Sequence, residues 1–156
     1  MAVRIFIETT WKAPAKGDGI SMWLVEYMKD GAPVTRQGFI HVPEGTESQG
    51  TLMGLINAFH VLKKPCSALV FTQCEHVLNA VQYQWHIRWQ KDGWINAKGR
   101  PVKNVDLWKM LAEKTTQHVY RVQKGFHDYQ ELMRLEAAKE LEAWRKKTGV
   151  LRGGRK

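Results

Sequence analysis

The sequence predicts an α/β domain built on a mixed sheet, and three observations carry that reading. Strand-type runs joined by turns fill the first 42 residues, helical periodicity begins at residue 48, and residues 68–72 form a continuous apolar run suited to a strand buried on both faces. The 156 residues are 44% hydrophobic, with seven Trp and five Phe, which is enough for one core. No transmembrane-length apolar run occurs, and Glu8 interrupts the N-terminal apolar stretch before a signal-peptide core could form. A cytoplasmic chain with no membrane partner is therefore expected. Cys66 and Cys74 form no C-x-x-C pair, which excludes a disulfide framework and a zinc finger.

In chain order, Val3-Arg4-Ile5-Phe6-Ile7 is β-branched and aromatic and predicts a first strand, followed by a loop over 14–19. Residues 20–28 and 34–42 flank an Asp30-Gly31 turn and predict an antiparallel pair. Leu52, Leu55, Ile56, Phe59 and Leu62 recur at three and four up to Pro65, as an amphipathic helix requires. The run at 68–72 predicts a fourth strand, parallel to the first. Residues 75–89 and 105–115 read as helices joined by a Gly-containing basic connector, and 118–122 as a last strand. Residues 129–145 read as a closing helix with Leu132, Leu135, Ala138 and Leu141 on its packing face. The expected organisation is one domain over 1–147 and a basic, disordered tail over 148–156.

The formal net charge of +9 is concentrated. Residues 85–124 hold nine basic groups and three acidic ones, and residues 144–156 hold six basic groups and no acid. Patches of this kind suit a polyanion, with an affinity that falls steeply with salt. Phosphate-loop, dinucleotide, zinc-protease and nucleophile-elbow motifs are all absent. Six histidines are spread without metal-ligand spacing.

The segment Trp85-His86-Ile87-Arg88-Trp89-Gln90-Lys91-Asp92-Gly93-Trp94, followed by Pro101-Val102-Lys103-Asn104-Val105-Asp106-Leu107-Trp108, closely resembles the basic protrusion of cellular ribonuclease H. The element order is also that of this family, and the likeness runs from about Val3 to Trp144. The resemblance implies a five-stranded mixed sheet of order 3-2-1-4-5 flanked by helices. It also implies a site in which four acids hold two divalent ions for hydrolysis of RNA paired with DNA. Carried over one at a time, the first-strand acid is Glu8, one methylene longer than the family's aspartate. The first-helix glutamate is Thr51, the aspartate after the fourth strand is Gln73, and the last-helix acid is Glu136. Two charges of four are lost, so the expectation is a degenerate enzyme with no cofactor, or at most weakly bound Mg²⁺ or Mn²⁺ at Glu8 and Glu136.

The binding apparatus that the resemblance implies is better kept. Thr46 and Asn104 match two members of the pocket for a DNA-strand phosphate, and the third is Cys74. Trp85 matches a handle tryptophan on the substrate side. Arg88, Lys91, Lys98, Arg100, Lys103 and Lys124 are the candidate phosphate contacts. The expected function is binding of RNA/DNA hybrid or duplex RNA with nuclease activity lost or strongly reduced, with a protein partner as an open addition. Two alternatives stand beside it. One is an active metal-dependent ribonuclease H in which Asp18, Glu47 or Glu75 compensates for the lost acids. The other is a protein-interaction scaffold using Trp11 and Trp23 as exposed anchors.

Overall fold

A computed structural model describes residues 1–12 and 14–153. Strands β1 (Ala2–Thr9), β2 (Gly17–Lys29) and β3 (Ala32–Gly45) form an antiparallel meander, and helix α1 (Glu47–His60) leads to β4 (Ser67–Phe71). Helices α2 (Glu75–Gln82), α3 (Trp85–Lys91) and α4 (Val105–Lys114) precede β5 (Val119–Gln123), and α5 (Gln130–Gly153) closes the chain. The sheet order is β3-β2-β1-β4-β5, with β4 parallel to both β1 and β5. The expected architecture is thus the observed one. Among the described residues no helix is long and apolar enough to cross a membrane.

Side-chain alternation along β1 divides the core. Val3, Ile5 and Ile7 pack with Leu52, Leu55 and Phe59 of α1, while Phe6 packs with Met22, Leu24, Phe71 and Met133 on the face that α5 covers. The parallel strands end at Thr9, Phe71 and Gln123, so the segments that follow them gather at one edge of the sheet. Crevices beyond the carboxyl ends of parallel strands are where α/β sheets place ligands.

Four expectations are corrected. Residues 75–89 are two helices, broken at Gln84, whose φ of 59° is left-handed. Periodicity could not reveal the break, because Val77, Val81, Trp85 and Trp89 keep a spacing of four across it. In α5 the packing face is Gln130, Met133 and Ala137, continued by Leu141 and Trp144, whereas Leu132 and Leu135 are 54% and 53% exposed and Ala138 is exposed too. That helix also runs to Gly153, past the end expected near Arg145. Of the expected tail, residues 154–156 lie outside the described residues. Trp11 and Trp23 are buried rather than exposed. Trp23 pairs across strands with Gly38, where a Cβ would stand 2.8 Å from its ring, and Trp11 lies on Gly19 and Gly50.

Candidate functional site

Glu8, near the end of β1, points to the α5 face of the sheet and is 3% exposed. Both of its oxygens are engaged. Arg134 Nε donates to Oε1 at 2.9 Å, and His127 Nε2 lies 3.0 Å from Oε2. The Tyr129 backbone N–H donates to His127 Nδ1 at 3.2 Å, which assigns the proton to Nε2 and makes that nitrogen a donor to Glu8. The imidazole is fully enclosed, its centroid 4.5 Å from that of Phe6 and 5.7 Å from that of Phe71. Helix α5 aims Arg134 at Glu8 because Met133 and Ala137 are seated in the core on either side of it.

Glu8 and Arg134 line a cavity of about 330 Å³ with Thr9, Thr10, Trp11, Lys12, Glu47, Thr51, Gln73 and Cys74. Three of the four positions that the sequence assigned to the acid cluster therefore meet here. Glu136 does not line this cavity. It stands two residues beyond Arg134, roughly 200° around the helix axis. The Thr51 hydroxyl is buried without a hydrogen-bond partner, and the Gln73 amide donates to the Gly125 carbonyl at 3.0 Å. Burial pushes the Glu47 carboxyl and the Cys74 thiol up from their ordinary values. Of the proposed compensating acids, Glu47 is at the cavity, Glu75 pairs with Lys124 at 2.7 Å, and Asp18 accepts from the Glu44 backbone N–H.

This donor set does not fit a pair of magnesium ions. Glu8 is held by a cation and a histidine N–H, Thr51 and Gln73 are neutral, and among the described residues no three of His, Cys, Asp and Glu converge as a ligand group. The cations that line this cavity are Arg134, bonded to Glu8, and Lys12. Sequence reasoning did not single out Arg134, which stands two residues before Glu136 on α5. A usable signal existed: Met133, Ala137, Leu141 and Trp144, spaced four, four and three, mark the buried stripe, and Arg134 flanks it.

A second, larger cleft of about 760 Å³ shares Glu47 and Gln73 with this cavity and includes Thr46, Ser48, His76, Lys103, Asn104 and Lys124. Thr46 caps α1: its hydroxyl accepts from the Gln49 backbone N–H, and the Gln49 side chain accepts in return from the Thr46 backbone N–H. Asn104 precedes α4 in a left-handed conformation, with φ of 59°. The expected pair Thr46 and Asn104 thus share one cleft with two lysines. Cys74 lines the Glu8 cavity instead, its sulfur 3.7 Å from Ser48 Oγ. Burial, then the charge of Lys103, lowers the pKa of His76.

The segment after α2 carries the remaining candidates. Trp85, Arg88 and Lys98 line a groove of about 380 Å³ with Trp89, Asp92 and Asn96. Asn96 Oδ1 accepts from the backbone N–H groups of Lys98 and Arg100, and this folds the basic loop on itself. Lys91 and Arg100 are exposed outside the groove. Trp89 meets buried Trp108 edge-on at 5.4 Å, and Trp85 and Trp89 are both half-buried at the groove, packed against the core.

The fold and the crevice at its strand ends define an α/β protein of ribonuclease H architecture. A family model described as RNase H matches residues 18–124, and the chain belongs to that family. Ribonuclease H of Chlorobaculum parvum is 36% identical over 90 residues, 56% of this chain and 62% of that protein. The match thus spans less than two thirds of that relative. Among solved structures, LC9-RNase H1, "a type 1 RNase H with the type 2 active-site motif", superposes with a TM-score of 0.73 at 19% identity, over 91% of this chain and 72% of that one. The foamy viral protease-reverse transcriptase in complex with RNA/DNA hybrid gives 0.63 at 13% identity, over 90% of this chain and 20% of that one. The residues matched by the family model include Thr46, Gln73 and Asn104 but stop short of Glu8 and Arg134.

Proposed function

We propose that this chain binds the backbone of an RNA/DNA hybrid or duplex RNA and does not cleave it by two-metal hydrolysis. The observation that carries this reading is the engagement of both Glu8 oxygens by Arg134 and His127. A carboxylate so held is a poor ligand for a divalent ion, and the arginine supplies positive charge where the family resemblance puts metal. The neutral Thr51 and Gln73, at two of the positions the resemblance gives to acids, agree with it. Binding is supported by the joined cavity and cleft, where Lys12, Lys103, Lys124, Asn104 and Arg134 offer cationic and amide donors. The Trp85 groove with Arg88 and Lys98 adds a second contact region on the same chain. The name ribonuclease H carried by the relatives, and the hybrid bound by the viral structural neighbour, point to the same class of ligand.

The test is a binding titration of hybrid across a salt series, paired with a cleavage assay in Mg²⁺ and in Mn²⁺. Salt-sensitive binding without cleavage is expected. Turnover that Glu8→Gln abolishes would remove the proposal. One observation favours a working nuclease instead: Glu47 offers a second carboxylate at the Glu8 cavity. In that case Mn²⁺ should bind at millimolar concentration or below, and Glu47→Gln should abolish both binding and cleavage. The scaffold reading loses its proposed anchors, since Trp11 and Trp23 are core residues.

A further inference from the structure

Phe126 is the most exposed large apolar side chain among the described residues, at 91%. Such a ring in a floppy loop would need no explanation. This one is held in place. The residue before it, Gly125, accepts a hydrogen bond from Gln73 on the far side of the cleft loop and adopts φ of 136°, a conformation that favours glycine. The side chain of the residue after it, His127, is fully enclosed and bonded to Glu8 and to the Tyr129 backbone N–H. One position earlier, Lys124 reaches Glu75. Anchors on both sides thus hold the backbone that presents this ring to water, two residues beyond Lys124, which lines the larger cleft. The ordering entropy is met by these neighbours before any ligand arrives, as in preorganised binding surfaces.

The surroundings identify the occupant. The cleft that Lys124 lines presents Lys103, Asn104 and His76 together with the acids Glu47 and Glu75, the latter paired with Lys124. An apolar ring two residues from a cleft with cations and amide donors fits a strand of nucleic acid, with its anionic backbone and flat bases. Bases inside a duplex already stack on one another, so a protruding ring can reach a base face only where pairing ends. We propose that Phe126 is a stacking platform for an unpaired nucleobase, so that this chain favours a duplex with a single-stranded extension or bulge over a fully paired one. This inference rests on the binding function proposed above and specifies its ligand.

The experiment compares blunt hybrid with the same hybrid carrying a short single-stranded extension, in EDTA at fixed salt, for the wild-type chain and for Phe126→Ala, Phe126→Leu and Phe126→Trp. Base–aromatic stacking by alanine substitution corresponds to a preference of roughly ten-fold or more for the extended hybrid. Phe126→Ala and Phe126→Leu should lose that preference while keeping blunt affinity and thermal stability, and Phe126→Trp should retain it. Gln73→Ala, which frees the Gly125 carbonyl, should weaken the preference as well. Equal wild-type affinity for the two ligands, or a preference that survives in Phe126→Ala, would overturn this inference while leaving backbone binding intact. Absence of wild-type binding to either ligand would overturn both.

Discussion

A carboxylate as enclosed as Glu8 must find partners, because removing charge from water is costly unless it is neutralised and hydrogen-bonded. Arg134 is the outer of its two partners, 55% exposed, and His127 the inner. Replacing Arg134 with Gln removes a charge-assisted hydrogen bond, and a loss of about 1.5–3 kcal/mol in stability by urea denaturation is expected. The double variant Glu8→Gln with Arg134→Gln should lose less than the sum of the two single changes; simple additivity would show that the pair is not coupled. His118 gives a separate residue-scale prediction. Its Nδ1 accepts the Cys66 backbone N–H at 3.0 Å, and burial lowers its pKa below the usual histidine value. The unfolded chain therefore binds more protons as pH falls below about 6.5, and stability is lost in that direction. The variant His118→Asn keeps an acceptor for Cys66 and should flatten the slope of unfolding free energy against pH between about 5 and 7. An unchanged slope would contradict this role.

At the scale of elements, the wall of the Glu8 cavity depends on how Trp11 lies across β2 and α1. Its Nε1 donates to the Gly17 carbonyl at 2.8 Å, and a Cβ at Gly50 would sit 2.3 Å from its ring. Gly50→Ala should cost about 1–3 kcal/mol as overpacking, read as a lower denaturation midpoint and a change in tryptophan fluorescence. A neutral result would mean that the ring is free to move aside. The same elements show what the sequence disclosed. Strand runs, the α1 stripe and the β4 pentad were legible because each obeys its own period. The break at Gln84 was hidden by an unbroken spacing of four, and the α5 face was misread because Leu132 and Leu135 look like core by hydropathy alone. Glu8, Thr51 and Gln73 entered through the family resemblance, and the structure brings all three to one cavity. The partners of Glu8 were not legible, since they come from the loop after β5 and from a helix rotation that only packing determines.

Across the whole molecule, the excess charge follows the architecture: the β-meander is balanced, while the stretch from α3 to β5 is strongly basic. Phosphate contacts made by that stretch should act additively through counterion release. Each of Lys98→Ala and Lys103→Ala is expected to reduce the slope of log affinity against log salt by about one unit, without altering preference among base sequences. A sequence-dependent effect would contradict backbone recognition. The family match covers residues 18–124 and so does not reach Glu8 or Arg134, whose ion pair closes the two ends of the chain onto one another. The most direct test is one gel-shift titration of end-labelled RNA/DNA hybrid, run in EDTA and in Mg²⁺, reading bound fraction and RNA length together. The expected result is affinity no tighter in Mg²⁺ than in EDTA, with full-length RNA in both. Tighter binding or shortened RNA that appears only with Mg²⁺ and vanishes in Glu8→Gln would contradict it.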